Sequence, residues 1–474
     1  MASAAIRQHH NVTLAALTFA GIAFALQQTL VIPALPALQR DLHTTTTWVT
    51  WLLTGFLLVA SVATPLLGKL GDQYGKERLL LISMGIFFLG SVGCLLAPNI
   101  WVLIACRAVQ GAGGAVFPLS FSIIKDEFPP EKMGFGIGVV SSVFAIGGSA
   151  GIVLSGVIVD HASWRWLFGI GAIGIGVALL LIHFFVPESP VKTPSRLDIP
   201  GAFLLSGGLV AFLIALSEGE NWGWGSTPTL ALLAAALVLL VAWGAVETRV
   251  PEPMVDMRML ARRPVLLTNA TALIAGFAML GSFVLIPNFV QMPNGLPDRL
   301  ADAVDYGFGA SATETGLYLL PGALVGLVFG PLAARLGRRW GWKAPLVAGM
   351  GLVAVGILGL ALFHEEPWQI VVANVVLGAG LPMTFAAMAT LIVTNVRPTE
   401  TGVATGMNTV MRTIGGVVGG QAGAAVLSAV TIDGTAIPAE SAFAIAFGVS
   451  AAAALVAVVI SALVTPLRPP PAAA

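Results

Sequence analysis

The stretch WVTWLLTGFLLVASVATPLLGKLGDQYGKERLLLISMGIFFLGSVGCLLA, residues 48–97, decides how this chain folds. Two apolar runs, 48–67 and 79–97, flank a loop, 68–78, that holds Lys69, Asp72, Lys76, Glu77 and Arg78. A run of that length wound as a helix spans about 30 Å, the hydrocarbon thickness of a bilayer. Its apolar residues do not alternate strictly with polar ones, so it reads as a helix and not as a barrel strand. The pattern continues outward in both directions, at 12–35, 100–123, 134–159, 164–186, 201–216, 230–246, 265–290, 312–333, 345–363, 368–393, 402–430 and 441–464. The sequence therefore predicts an all-α membrane protein with 14 transmembrane helices.

Composition and charge agree with that reading. The chain is 57% hydrophobic and only 10% charged, with mean hydropathy +0.91, whereas a soluble domain is roughly 25% charged. Of the 23 lysines and arginines, 18 fall in alternate loops on one face. Three (Arg40, Arg165 and Arg299) fall on the other, and Arg107 and Arg412 lie inside apolar runs. The basic face is the cytoplasmic one, which puts both termini inside a bacterial cytoplasmic membrane. Glu218, Glu220, Asp298, Asp302, Asp305, Glu365 and Glu366 then lie outside, with Trp48, Trp101, Trp164, Trp222 and Trp368 at the outer interface. The first apolar run reaches Leu35, too far for a signal-peptide core, and reads as a membrane helix. Net charge is zero, so no global field points to nucleic acid. Cys94 and Cys106 read as small core residues.

An internal repeat predicts a duplicated architecture. Gly134, Gly138, Gly147, Gly148 and Gly151 recur at constant offset as Gly402, Gly406, Gly415, Gly416 and Gly419. Gly111-Ala112-Gly113 matches Gly378-Ala379-Gly380, and Gly68-x-Leu70-x-Asp72-x-x-Gly75-Lys76 is echoed by Gly330-x-Leu332-x-Ala334-x-x-Gly337-Arg338. The expected domains are a six-helix bundle over 1–187, two inserted helices over 188–258 and a second six-helix bundle over 259–474. Parallel repeats of this kind place a substrate site near the midplane, between the halves.

The loop from Gly68 to Arg78 resembles the signature between the second and third helices of the major facilitator superfamily. Leu103-x-x-x-Arg107-x-x-Gln110-Gly111-x-Gly113-Gly114-Ala115 is similar to that superfamily's fourth-helix motif. Trp164-Arg165-Trp166-Leu167-Phe168, Trp222-Gly223-Trp224 and Thr401-Gly402-Val403-Ala404-Thr405-Gly406-Met407-Asn408 look like the 14-helix drug:proton antiporter branch, in the form of an actinobacterial-type multidrug efflux transporter. The resemblance implies a secondary transporter and not an enzyme. It also implies a gating role for Gly68, Asp72, Gly75, Lys76 and Arg78, with Asp72 meeting the thirteenth helix near Thr401-Gly402. Gly330, Gly337 and Arg338 form the corresponding loop of the second half.

The expected cavity and coupling residues are Gln27, Gln28, Arg107, Gln110, Asn408 and Arg412. A charge within the bilayer is costly unless it faces a polar cavity or a partner, which singles out the two arginines. Two departures from the branch pattern stand out. Its usual first-helix aspartate is replaced by glutamine in Leu26-Gln27-Gln28-Thr29-Leu30-Val31, and a glutamine does not titrate. Its fifth-helix proline is missing from Gly151-Ile152-Val153-Leu154-Ser155-Gly156. Coupling must then use a peripheral acid, with Asp41, Glu314 and Glu400 as candidates, operate differently, or not exist. The six histidines have no metal-ligand spacing, and phosphate-loop and nucleophilic-triad patterns are missing, so no metal or cofactor is expected. The expected function is proton-linked export of amphiphilic drugs or metabolites by a monomer in the lipid bilayer. The alternatives are transport of an anionic or zwitterionic solute or lipid, and a non-transporting receptor or scaffold.

Overall fold

A computed structural model describes residues 10–465, apart from 193–197, 294–303, 433 and 436. Arg299, Asp298 and Asp302 lie outside the described residues. The long helices are α1 (His10–Thr29), α2 (Thr46–Tyr74), α3 (Lys76–Leu95), α4 (Ile100–Glu127), α5 (Pro130–His161), α6 (Arg165–Phe185) and α7 (Ile199–Trp222). They continue as α8 (Thr227–Glu247), α9 (Arg263–Gln291), α10 (Ala312–Trp340), α11 (Lys343–Leu362), α12 (Pro367–Asn395), α13 (Thr401–Ala429) and α14 (Glu440–Ala462). Among the described residues, twelve are long and apolar enough to cross a membrane. The other two, α5 and α9, contribute the shorter apolar stretches Ala150–His161 and Arg263–Met279.

Several boundaries differ from the sequence reading. The first apolar run is not one helix to residue 35, because α1 ends at Thr29 and a short helix, Leu35–Asp41, follows. The segment 68–78 is scarcely a loop. α2 keeps its helical hydrogen bonds to Tyr74, Gly75 alone makes the turn with φ +122°, and α3 starts at Lys76. A side chain with a Cβ is strained at that φ. In the second half α10 runs on to Trp340 and turns at Gly341 (φ +79°), so Gly337 and Arg338 also sit on a helix. Trp164, expected at the outer interface, is packed inside the protein and not on its surface. It is only 3% exposed, packed edge-on to Phe168 with the Arg165 guanidinium over its ring.

The repeated glycines prove to be packing surfaces. An added Cβ at Gly147 would fall 2.4 Å from Ala25 Cβ, and one at Gly151 2.1 Å from Thr29 Oγ1, so α5 lies directly on α1. The equivalent glycines of α13 lie on α9. A Cβ at Gly415 would meet the Leu273 carbonyl oxygen at 1.7 Å, and one at Gly419 that of Phe277 at 2.2 Å. Lipid supplies no hydrophobic drive between helices, so close approach of this kind is what holds them together. α7 pairs with α8 and leans on α2, where Thr54 and Ser217 hydroxyls stand 2.8 Å apart. α4 tightens into a 3-10 turn over Gly111–Ala115, where the backbone of Phe56 and the ring of Phe87 press against Gly111 and Gly113.

Candidate functional site

At the end of α2 that carries Lys69 and Asp72, the helix crosses the start of α13 with backbones almost touching. A Cβ on Gly68 would fall 2.5 Å from the Gly402 carbonyl oxygen. Asp72, one turn further along α2 and buried, accepts from Gly402 N–H at 2.9 and 3.1 Å and from Val403 N–H at 3.2 Å. A carboxylate there answers both the unpaired N–H groups and the positive end of the helix dipole. Lys76, fully buried, makes an ion pair with Asp126 of α4 and stands 3.7 Å from Asp72. Ser189 Oγ donates to Asp126 at 2.5 Å. Lys125 spans the same crossing, donating to Val396 O at 3.1 Å and Thr401 Oγ1 at 3.0 Å. Arg78 is exposed and forms no ion pair among the described residues.

The second crossing has a different chemistry. Gly330 of α10 meets Gly138 of α5, where a Cβ on Gly138 would lie 2.5 Å from the Gly330 carbonyl oxygen. The position matching Asp72 is Ala334, which touches Gly134, so no carboxylate sits there. Gly337 leaves room for the Trp342 ring, and Arg338 donates to the Glu131 carbonyl at 3.4 Å. α5 and α10 also meet further along, at Val153 and Gly316, so this seam runs for much of their length.

The six expected cavity residues separate into two groups. Arg107 is fully buried and donates to the carbonyls of Leu52 (3.3 Å), Gln27 (3.2 Å) and Gln28 (3.1 Å), and to Gln110 Oε1 at 2.7 Å. Gln110 in turn donates to Ser91 Oγ at 2.7 Å, and the guanidinium lies over the Phe56 ring. Arg107 thereby fastens α4 to α1 and α2. The Gln27 side chain is turned away from the other half, against Gly171 of α6, where a Cβ would lie 1.6 Å from its Oε1. Both Gln27 amide atoms and Gln28 Oε1 are buried without a hydrogen-bond partner.

Arg412 and Asn408 instead line a cavity between α4, α5, α12 and α13. The other walls are Phe117, Phe121, Ser141, Phe385, Ala389, Thr405 and Thr409. The Arg412 guanidinium sits over the Phe385 ring, and Asn408 Nδ2 donates to Asn269 Oδ1 at 2.9 Å. No Asp or Glu is among these walls. Free space amounts to about 10 Å³, about one water molecule, so this conformation is closed around its cavity. Sequence reasoning picked out Asn408 and Arg412 but missed the aromatic pair Phe117 and Phe121 and the hydroxyls Thr405 and Thr409 beside them. The signal was present: Phe117 and Phe121 stand at i, i+4, and Thr405, Asn408, Thr409 and Arg412 at i, i+3, i+4, i+7, each set on one helix face.

The Major Facilitator Superfamily description matches residues 17–420 and, in a second overlapping match, 305–474. This chain belongs to that superfamily. As a member of it, the protein is a multi-pass membrane transporter and not an enzyme. The tetracenomycin C resistance and export protein of Streptomyces glaucescens is 28% identical over 83% of this chain and 71% of its own length. The multidrug resistance protein Stp of Mycobacterium tuberculosis is 28% identical over 78% of this chain and 67% of its own. Among solved structures, the human organic anion transporter MFSD10 (TETRAN) superposes with a TM-score of 0.67 at 15% identity, covering 95% of this chain and 99% of that one. Likeness at that identity concerns the superfamily fold alone.

Proposed function

We propose that this superfamily member exports amphiphilic drugs or metabolites from a bacterial cytoplasm by alternating access. In this reading all fourteen long helices cross the membrane, both termini are cytoplasmic and the chain acts as a monomer. The two six-helix bundles, over 1–187 and 259–474, rock about the cavity, and 188–258 supplies the inserted pair α7 and α8. The cavity carries the proposal. Its walls come from both halves, and it combines three phenylalanines, small hydroxyls, an amide and one guanidinium, which suits a ligand with an apolar body and a polar end. The names of the export and resistance relatives support the direction. Asp72, Gly68, Gly75 and Lys76 hold the cytoplasmic side closed, with Gly330, Gly337 and Arg338 on the opposite seam.

Of the peripheral acids, Asp41 and Glu314 are exposed, and Glu314 serves in a capping box with Ser311. Glu400 closes a turn with Arg397. None is placed to respond to cargo. A second reading, transport of an anionic amphiphile, draws on a guanidinium in a cavity whose walls hold no carboxylate. Both are tested in liposomes carrying the purified protein and an internal pH dye, challenged with cationic, neutral and anionic amphiphiles. Cargo-triggered proton movement supports antiport, and cargo movement without protons removes it. Selective movement of anions selects the second reading, and movement of no amphiphile overturns both.

A further inference from the structure

The cytoplasmic ends of the inserted helices hold two buried acids to which the transport reading gives no task. Asp198, 7% exposed, caps α7: its Oδ1 accepts from Gly201 N–H at 2.8 Å. Its Oδ2 is buried with no hydrogen-bond partner. Glu247, 3% exposed at the end of α8, accepts from Trp243 Nε1–H at 2.8 Å through Oε1 and from Val255 N–H at 3.1 Å through Oε2. The unpartnered Oδ2 and Glu247 Oε1 face the same side of Gly201, where a Cβ would stand 2.4 Å from the first and 2.8 Å from the second. The two oxygens are therefore within about 5 Å, a range at which each carboxylate opposes the other's charge.

We propose that Asp198 and Glu247 form a proton-binding pair, with a single proton held between Asp198 Oδ2 and Glu247 Oε1. That proton would give Oδ2 its missing hydrogen bond and remove the repulsion between two buried carboxylates. A metal ion is a poorer occupant. Three of the four carboxylate oxygens already accept N–H groups, and a hard cation requires several free oxygens. Among the described residues no group of three or more His, Cys, Asp or Glu side chains stands ready for a metal. The charged groups bearing on Glu247 are Asp198 across the α7–α8 seam and Lys69 from α2, while Arg249, Glu252 and Arg258 in the following linker are exposed.

The pair is wired to the α2–α13 crossing. Lys69, beside Gly68, donates to Pro253 O at 3.0 Å, two residues before the Val255 N–H that Glu247 holds. α7, whose N-terminus Asp198 caps, packs on both α2 and α13. Loss of the proton leaves two like charges at the seam and strains the linker that fixes Lys69. The proton site does not depend on the identity of the cargo, whereas its effect on the crossing rests on the transport reading above.

Infrared spectroscopy of the protein in lipid nanodiscs tests the site directly. The wild-type spectrum should contain a carboxylic-acid carbonyl band that titrates as one proton and is lost in both Asp198→Asn and Glu247→Gln. Asp198→Asn keeps the Oδ1 cap and offers an amide N–H where the proton sat. Persistence of the band in either variant, or no band in the wild type, overturns the pair. Carbodiimide labelling of the wild type, mapped by mass spectrometry, requires no variant: an adduct at Asp198 or Glu247 that declines as pH rises is expected, and none at any pH overturns the site. In liposomes, a tenfold change in export across the neutral pH range should fall below twofold in Asp198→Asn, and an unchanged profile overturns the link to the crossing. If the wild type moves no amphiphile, the infrared and labelling results still decide the proton site while the export reading fails.

Discussion

At the residue scale, Asp72 and Arg412 are held in opposite ways. Asp72 is satisfied on every side, by two backbone N–H groups of α13 and by Lys76. Asp72→Asn keeps one acceptor and loses the charge, which at a partly buried helix terminus is worth about 1–2 kcal/mol. A cysteine introduced at Thr409 in the cavity should then react about tenfold faster with a reagent applied from the cytoplasmic side; an unchanged rate would mean that the carboxylate does not hold the crossing. Arg412 faces the cavity, and Arg412→Ala should abolish turnover without unfolding the protein. Wild-type rates in that variant would remove it from the site. The contact between Asp72 and α13 was legible because the motif around Gly68 identifies its partner. The division between Arg107 and Arg412 was not, because depth in a helix says nothing of which way a side chain turns. Asp198 and Glu247 were illegible for a related reason: an acid at a helix end reads as solvated, and here a linker covers it.

At the scale of elements, the glycine recurrence in the sequence corresponds to an interlock seen twice. α13 presents Gly415 and Gly419 to the backbone of α9, while α9 returns Gly276 to the Arg412 carbonyl, where a Cβ would lie 1.9 Å away. Gly276→Leu must separate the helices, at a cost of about 1–3 kcal/mol for overpacking. A lower unfolding temperature in detergent is expected, together with loss of transport, because the backbone that aims Arg412 would move. An unaltered melting curve would show that the α9–α13 seam yields freely. Helix ends were the least legible part of the fold. Continuous apolar residues conceal the break after Thr29, and the basic residues around Gly75 and Gly337 read as loop although the backbone stays helical. The single positive-φ turns at Gly75 and Gly341 carry that difference.

Over the whole molecule, the proposed fourteen crossings would set an inside and an outside that chemistry can check. Cysteines placed at exposed Arg339 and Glu365 should be blocked by an impermeant maleimide from opposite faces, the first only from the cytoplasm and the second only from outside. Labelling of both from one face would break the assignment. The unsatisfied amide of Gln27 bears on how easily the whole machine could change its source of energy. Glutamine and glutamate have the same shape, and their codons differ by one base. Gln27→Glu would fit the space beside Gly171 and bring a titratable group to the Arg107 network. In a population under selection by a toxic cargo, that variant is a single mutational step from the present sequence. Its emergence with an added pH dependence of export that persists in Asp198→Asn would mark this protein as a lineage one step from carrying a titratable group beside Arg107.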